Sequence, residues 1–371
     1  LSKSFLSMLL SLVRNLTTCD TIPSSPAETR LTSRQTGNGG RMHRWRPDRN
    51  GWRVQPVLAV VVASPLAASG SLDPQGPVAR SISGLWHLML ALGTAVFVLV
   101  GALLVGALFR RRRAETGEKA TSRWLVAGGV AMPAVILAIV YGGTLVTMRR
   151  AHPDAPPDAE VVEVTGHQWW WEVEYPNHGV VTANEIHVPA GEPVVFRVTS
   201  VDVIHSLWIP SLGGKMDLLP DHVNVLVVEA DGPGEHRADC AEFCGLQHAR
   251  MGLLVVAATE DDFAEWIEAR RRPGAAPADS TAARGQEVFT SSGCGECHTI
   301  RGTEATGDVG PDLTHFASRP RLGAGVAPNT TERLTAWISD PHELKRGVDM
   351  PASELSDEDL AAVVAYLEGL E

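Results

Sequence analysis

The sequence predicts a multi-domain protein with a two-helix transmembrane hairpin, an all-β domain and an all-α domain, in this order along 371 residues. Three observations indicate this fold class. Two apolar stretches each exceed the roughly 20 residues that span a bilayer. Short β-branched and aromatic runs, separated by Gly, Pro and Asn, follow them. The C-terminal part has the apolar spacing of amphipathic helices.

The two apolar stretches are Gly84–Phe109 and Trp124–Thr147, and neither contains a charged residue. A buried core helix is the alternative for either stretch, but two uncharged stretches of this length favour membrane spans. The loop between them begins with Arg110–Arg113, so the positive-inside rule places it in the cytoplasm and the chain after Arg150 outside. The predicted hairpin domain comprises residues 82–150.

Charge is unevenly distributed along the chain, whose formal net charge is −11. Residues 1–150 carry 18 Lys and Arg against 6 Asp and Glu, whereas residues 151–268 carry 4 against 21. This change of sign is typical of a chain that crosses a membrane. The acidic exterior excludes nucleic acid as a partner and favours a basic protein that docks with salt-sensitive rates.

Residues 1–70 are predicted to be an N-terminal extension that includes a signal peptide. Met42 opens a basic stretch, Val54–Leu66 is a short apolar run, and small residues follow at Ala67 and Ala68. This layout is typical of a secretory signal. We therefore expect translation to start at Met42 and cleavage to fall near residues 68–70.

Outside the membrane the pattern changes twice. Residues 158–262 contain the β runs and are expected to form a sandwich or barrel. A short helix is predicted at Asp261–Ala269, and the composition of residues 270–283 indicates a flexible linker. Residues 284–371 are helical in pattern, and Ser356 and Asp359 form a capping box before the last helix.

The stretch DCAEFCGLQHARM, residues 239–251, places two thiols, an imidazole and a thioether in one loop. A disulfide between Cys240 and Cys244 or a zinc site would leave His248 and Met251 unexplained. Thiolate and thioether are soft ligands, and imidazole suits copper, so the loop favours a copper site. Two thiolates can bridge two copper ions that share one electron. A second histidine is needed, and we expect His205, which ends a β run in DVIHSLWIP.

The stretch GCGECH, residues 293–298, has the Cys-x-x-Cys-His spacing of covalent haem c attachment. Cys294 and Cys297 would form the thioether bonds and His298 would bind the iron. A redox-active dithiol or half a zinc site is the alternative. The predicted sixth ligand is Met350 in GVDMPA, because methionine suits an electron-transfer haem; His315 in GPDLTHFASR competes with it.

Residues 82–262 resemble subunit II of the haem–copper cytochrome c oxidases. The resemblance covers the two-helix hairpin, GHQWWWEVEY at residues 166–175, the His205 segment and the Cys-x-Glu-x-Cys-x3-His-x2-Met loop. It implies a cupredoxin fold with the binuclear CuA centre. The implied copper ligands are His205, Cys240, Cys244, His248, Met251 and the carbonyl of Glu242.

The same resemblance implies further roles. The Glu242 side chain would reach Mg²⁺ at the boundary with subunit I, and Trp169 would admit electrons to the copper. Residues 284–371 resemble a class I cytochrome c, and the fusion resembles oxidases whose subunit II carries its own cytochrome c. One departure is the lack of a His-Glu pair within residues 114–135, which many members carry near the inner end of the second membrane helix.

The implied function is an electron relay from haem c through CuA to the haem–copper centre of subunit I, where oxygen is reduced to water with proton pumping. The implied partners are subunit I, other oxidase subunits, and cytochrome c or another donor. The implied location is the bacterial inner membrane, with the soluble domains on the periplasmic face. A membrane-anchored copper chaperone or thiol reductant is the rival from another class. A quinol oxidase subunit II is a second rival, but that family lacks these copper ligands.

Overall fold

The computed structural model describes residue 70 and residues 72–109 and 118–371. The predicted signal peptide lies outside the described residues. The same holds for the arginine cluster Arg110–Arg113, on which the predicted orientation of the hairpin rests. Both statements therefore stay predictions.

Two long helical segments precede the soluble part. The first is α1, Pro77–Phe109, and the second comprises α2, Glu118–Val126, a π-helical turn, Ala127–Ala131, and α3, Met132–Ala151. By length and composition, Pro77–Phe109 and Ser122–Ala151 are both apolar enough to cross a membrane.

The π-helical turn has a local cause. Pro133 has no backbone N–H, and its ring would clash with the carbonyl of Gly129 in a regular α-helix. The wider π turn contains Gly129 and accommodates the proline.

Two five-stranded sheets form a sandwich around one hydrophobic core. The first sheet has the order β3-β2-β1-β5-β8 and the second β4-β10-β9-β6-β7. The strands are β1 Val161–His167, β2 Trp170–Tyr175, β3 Val180–Ala183, β4 Glu185–Pro189, β5 Pro193–Ser200, β6 His205–Trp208, β7 Lys215–Leu218, β8 Asn224–Glu229, β9 Gly234–Cys240 and β10 Gly252–Ala258. We call residues 161–258 the sandwich domain; it confirms the cupredoxin-like, all-β part of the predicted fold class.

Strands β1 and β10 show why the sequence predicts them, since each buries every second residue. Strand β9, GEHRADC, lies in the middle of the second sheet but has no β-branched residue, so its sequence does not predict a strand. It still faces the core with His236, Ala238 and Cys240. Neighbouring strands on both sides therefore decide its conformation, not its intrinsic propensity.

The C-terminal part is helical, as predicted. Its elements are α4 Glu260–Arg270, α5 Ser280–Ser291, α6 Cys294–Cys297, the strand pair β11 Arg321–Leu322 and β12 Ala327–Pro328, α7 Thr331–Ser339, α8 Pro341–Leu344 and α9 Asp357–Glu368. Helices α5 and α9 pack where Gly285 meets Ala362; a Cβ on Gly285 would lie 2.0 Å from the Ala362 carbonyl oxygen. The Asp359 N–H donates to Ser356 Oγ over 3.2 Å, so Ser356 is the N-cap of α9, and the Asp359 carboxylate accepts from the Ser356 hydroxyl over 2.8 Å. We call residues 280–371 the helical domain.

The connection between α4 and α5 is residues 271–279, shorter at both ends than the expected linker. It is hydrogen-bonded to both domains: Arg271 Nε donates to the His178 carbonyl over 3.0 Å, and the Gly274 N–H donates to the Arg301 carbonyl over 2.8 Å. The segment is mostly exposed, and these hydrogen bonds attach it to both domains at two points; its flexibility stays a prediction.

Buried charges lie where the two domains meet. Glu185 of the sandwich domain is 4% exposed, Arg319 of the helical domain 6% and Arg270 of α4 9%. Burial alone would raise the pKa of Glu185, but the His187 side chain and the charges of Arg319 and Arg270 together lower it. The ionised carboxylate is therefore held in place by charges from both sides of the contact.

Glu185→Gln is expected to destabilise the full-length chain in detergent by about 3 kcal/mol at pH 7, because two buried guanidinium groups lose their counter-ion. The folded pKa of Glu185 is depressed, so its contribution is present above the unfolded value and is lost as the pH falls through the folded value. Thermal unfolding at pH 7 and at about pH 4 checks this. The difference from wild type shrinks at the lower pH, while exposed Glu192→Gln changes little at either. An equal loss at both pH values would contradict the charge assignment.

Candidate metal centres

Pairing of three strands assembles the first candidate centre. Cys240 is the last residue of β9, and its N–H donates to the carbonyl of Met251, which immediately precedes β10, over 3.1 Å. Strand β6 pairs with β9 so that Leu207 opposes Cys240, which places His205 beside the thiols. The expectation that His205 ends a β run is wrong: it begins β6. We call residues 240–251 the thiol loop.

The sulfur atoms of Cys240 and Cys244 lie 3.7 Å apart. A disulfide bond measures about 2.05 Å, so both remain thiols, and the structural-disulfide alternative is not realised. The other predicted ligands surround this pair. The distances are 4.0 Å from Cys240 Sγ to His205 Nδ1, 3.2 Å from Cys240 Sγ to the Glu242 carbonyl oxygen, 3.8 Å from Cys244 Sγ to His248 Nδ1 and 3.9 Å from Cys244 Sγ to Met251 Sδ.

The thiol pair holds a buried negative charge. The pKa of Cys240 lies well below that of a free thiol because Cys244 and His205 hydrogen-bond to its thiolate. The pKa of Cys244 is raised in turn, because the thiol donates to Cys240, is buried and lies next to its charge. A bound cation would relieve both effects and allow both thiols to ionise. Two thiolates, two imidazoles, a thioether and a carbonyl fit soft copper ions better than hard ones.

Asp202 orients His205. The ring Nε2 donates to Asp202 Oδ1 over 2.8 Å, which leaves Nδ1 facing the thiols. The carboxylate also accepts from the backbone N–H groups of Gln168 and Val203, each over 2.6 Å. Burial alone would lower the pKa of His205, but hydrogen bonds to Cys240 and Asp202 raise it. Sequence reasoning missed Asp202; a carboxylate three residues before a predicted ligand is the signal that could have found it.

The three consecutive tryptophans have different environments. Trp171 is fully buried in the sandwich core, and Trp170 stacks on His167 with ring centres 4.1 Å apart. Trp169 is half-buried, and its Nε1 donates to the Cys244 carbonyl over 3.0 Å. Gln168 Nε2 donates to the same carbonyl over 2.6 Å. Trp169 is thus the tryptophan of this run that touches the thiol loop, and its role in electron entry stays a prediction.

The backbone carbonyl and the side chain of Glu242 lie in different environments. Its carbonyl oxygen faces Cys240, as the ligand prediction requires. Its side chain is 44% exposed, and Oε2 lies 3.7 Å from Lys215 Nζ. Within the described residues, the acidic, Cys and His side chains close enough to hold a metal are His205, Cys240 and Cys244. The Mg²⁺ site therefore stays a prediction that needs ligands from another chain.

The second candidate centre is built on α6. Its single turn places Cys294 half-buried and Cys297 exposed, both as free thiols. His298 follows directly, and its Nδ1 donates to the Pro311 carbonyl over 2.8 Å. Burial lowers the pKa of His298, so the ring is neutral and Nε2 is left to bind iron. A Cβ at Gly310 would lie 2.6 Å from the ring, so glycine is needed there.

The two candidates for the sixth haem ligand differ in their contacts. Both ring nitrogens of His315 are taken, lying 2.8 Å from the Glu371 carbonyl oxygen and 3.1 Å from that of Arg272. Met350 is half-buried in the irregular segment between α8 and α9. These contacts argue against His315 as a ligand, and Met350 stays the predicted sixth ligand.

Comparison with known families divides the soluble part in the same way. The family described as cytochrome C oxidase subunit II, periplasmic domain, matches residues 178–258, and cytochrome c matches residues 282–371. Cytochrome c oxidase subunit 2 of Alkalihalophilus pseudofirmus is 35% identical, covering 81% of this chain and 90% of that protein. The protein of that name from Bacillus subtilis is 30% identical over 86% and 98%. Quinol oxidase subunit 2 of Bacillus subtilis is 31% identical but covers 58% of this chain.

Asp202→Ala is expected to weaken copper binding by about 10- to 100-fold, because His205 loses the partner that orients it. Competition with a copper chelator, followed by the absorption of the copper-loaded full-length chain, measures this. Asp154→Ala, at an exposed position before the sandwich domain, is the control. Equal affinities for both variants would show that Asp202 does not support the ligand.

Met350→His is expected to lower the midpoint potential of the haem, since an axial methionine raises it. A redox titration followed by the haem absorption bands measures the change. His315→Gln should leave both the potential and the absorption band of methionine ligation unchanged. Loss of that band in His315→Gln but not in Met350→His would reverse the assignment.

Proposed function

The chain belongs to the cytochrome c oxidase subunit 2 family, and we propose that it relays electrons from a haem c in its helical domain to a binuclear copper centre, CuA, in its sandwich domain. From there the electrons pass to subunit I. The observation that carries this proposal is the set of copper-type donors, each of which lies within 4.0 Å of a sulfur atom of the thiol pair. A Cys-x-x-Cys-His haem site follows in the same chain.

The residues have distinct tasks in this proposal. When bound, the haem and the copper pair supply one-electron redox chemistry. Cys240 and Cys244 would hold the two copper ions, and His205 and His248 would bind them through Nδ1, the nitrogen nearer the thiols in each ring. Asp202 accepts a hydrogen bond from Nε2 of His205, and the Pro311 carbonyl accepts one from Nδ1 of His298. In each ring the other nitrogen is left to bind a metal. Met251, 1% exposed, closes the copper site from the core side.

The chain works as part of a larger complex. Subunit I reduces oxygen to water and pumps protons, and other oxidase subunits complete the assembly. The two apolar helices anchor the chain twice in the bacterial inner membrane, with both soluble domains in the periplasm. Trp169 admits electrons to the copper, and Glu242 contributes to a Mg²⁺ site at the boundary with subunit I. A soluble cytochrome c or another donor reduces the haem.

Electron paramagnetic resonance of the haem-matured, copper-loaded full-length chain tests the proposal. We expect hyperfine splitting from one electron shared by two copper nuclei. Cys244→Ser should abolish this sharing, because a hydroxyl is a poor bridge for soft metal ions. His222→Gln, at an exposed position outside the cluster, should keep the wild-type signal.

A copper chaperone gives a different result in the same experiment. It would hold a single, exchangeable copper ion, and Cys244→Ser would lower its affinity without removing any shared signal. A single-nucleus spectrum after full loading would therefore reject the relay and favour the carrier.

A further inference from the structure

The segment that leads from α8 to Met350 lies against the thiol loop. Lys345 in this segment is 2% exposed, although lysine is among the residues least often buried. Its Nζ donates to the Trp169 carbonyl over 2.6 Å and to the Gly323 carbonyl over 2.9 Å. Trp169 belongs to the sandwich domain and Gly323 to the helical domain, so one side chain bridges both.

Three further hydrogen bonds cross the same contact. Gln247 Nε2 donates to the Arg346 carbonyl over 2.7 Å, and the Gly252 N–H donates to the Ala324 carbonyl over 2.9 Å. Arg250 donates to the Leu344 carbonyl. Gln247 precedes His248 and Gly252 follows Met251. The backbone of the helical domain is therefore bonded to residues adjacent to two predicted copper ligands.

We propose that Lys345 is a positioning residue for electron transfer, which holds the helical domain on Trp169 and the thiol loop. The chain's own haem domain then occupies the surface through which Trp169 would receive electrons, and a soluble donor delivers to the haem domain instead. This inference rests on the proposed function.

The contacts explain why a lysine suits this position. Without its side chain, two buried carbonyl oxygens on opposite sides of the contact would lose their donor, which is unfavourable. Burial lowers the pKa of Lys345 to about 7. The neutral amine still has two N–H donors, one for each carbonyl, so the bridge does not depend on the charge.

The step that Lys345 supports moves one electron. It leaves the reduced haem c, which is oxidised, and arrives at the oxidised copper pair, which is reduced. No bond forms or breaks and no proton changes place. Its rate depends on the separation of the two centres, which the contact bridged by Lys345 would fix.

Lys345→Leu tests the proposal in the assembled oxidase. Leucine is used because, unlike methionine, it has no sulfur atom that could bind a metal. We expect electron transfer from haem to copper, after flash reduction of the haem, to slow by about tenfold. Loss of one hydrogen bond across the contact lowers the equilibrium constant for docking of the two domains by about this factor. Arg346→Leu is the matched control. Arg346 is exposed, and this substitution removes its positive charge. The carbonyl at position 346, which accepts the hydrogen bond from Gln247, is kept.

Hydrogen exchange provides a readout apart from electron transfer. The Gly252 N–H is bonded to Ala324 across the contact, so its exchange should be faster in Lys345→Leu than in wild type or Arg346→Leu. If Lys345→Leu does not assemble, Arg250→Leu is measured in its place. Arg250 is exposed, and its substitution removes one hydrogen bond across the same contact.

The outcomes separate this inference from the proposed function. Slower transfer together with faster Gly252 exchange, while the copper resonance and haem spectra stay unchanged, supports the positioning role. Wild-type transfer, or slow transfer with unchanged exchange, overturns it and leaves the relay intact. Absence of the shared-copper signal in the wild-type chain would instead overturn the proposed function itself.

Discussion

Two thiols held 3.7 Å apart at the end of β9 set the main physical constraint on this molecule. At this distance they are not joined as a disulfide, and they are too close for both to ionise without a cation. The pairing of β9 with β6 and β10 fixes both ends of the loop beside His205, and hydrogen bonds from Gln168 and Trp169 to the Cys244 carbonyl hold the other thiol. The buried negative charge that results is what a soft metal ion would neutralise.

In both candidate centres a hydrogen bond orients the ligand histidine. One ring nitrogen is tied by an oxygen atom, that of Asp202 for His205 and of Pro311 for His298, and the other nitrogen is left to bind metal. Such partners fix the ring orientation and raise the basicity of the ligand. His315 shows the contrast, since oxygen atoms take both of its nitrogens and make it a structural residue.

The contact between the two soluble domains is polar and buried. Glu185, Arg270 and Arg319 form its charged part, and Lys345 bridges the domains beside the thiol loop. A flexible tether would raise only the effective concentration of one domain near the other. A docked arrangement also fixes the orientation of the two domains, and with it the distance between their redox centres. The rate of electron transfer depends on that distance.

Features that depend on short spacing could be predicted from the sequence alone. The thiol loop, the Cys294–His298 attachment site, the apolar helices and most regular strands are of this kind, because their residues are close neighbours along the chain. Lys345, the polar strand β9 and the two occupied nitrogens of His315 could not be predicted. Their roles depend on contacts between residues far apart in sequence, such as the 176 positions between Trp169 and Lys345. Only the folded chain decides such contacts, because strand pairing and domain docking bring distant backbone groups together.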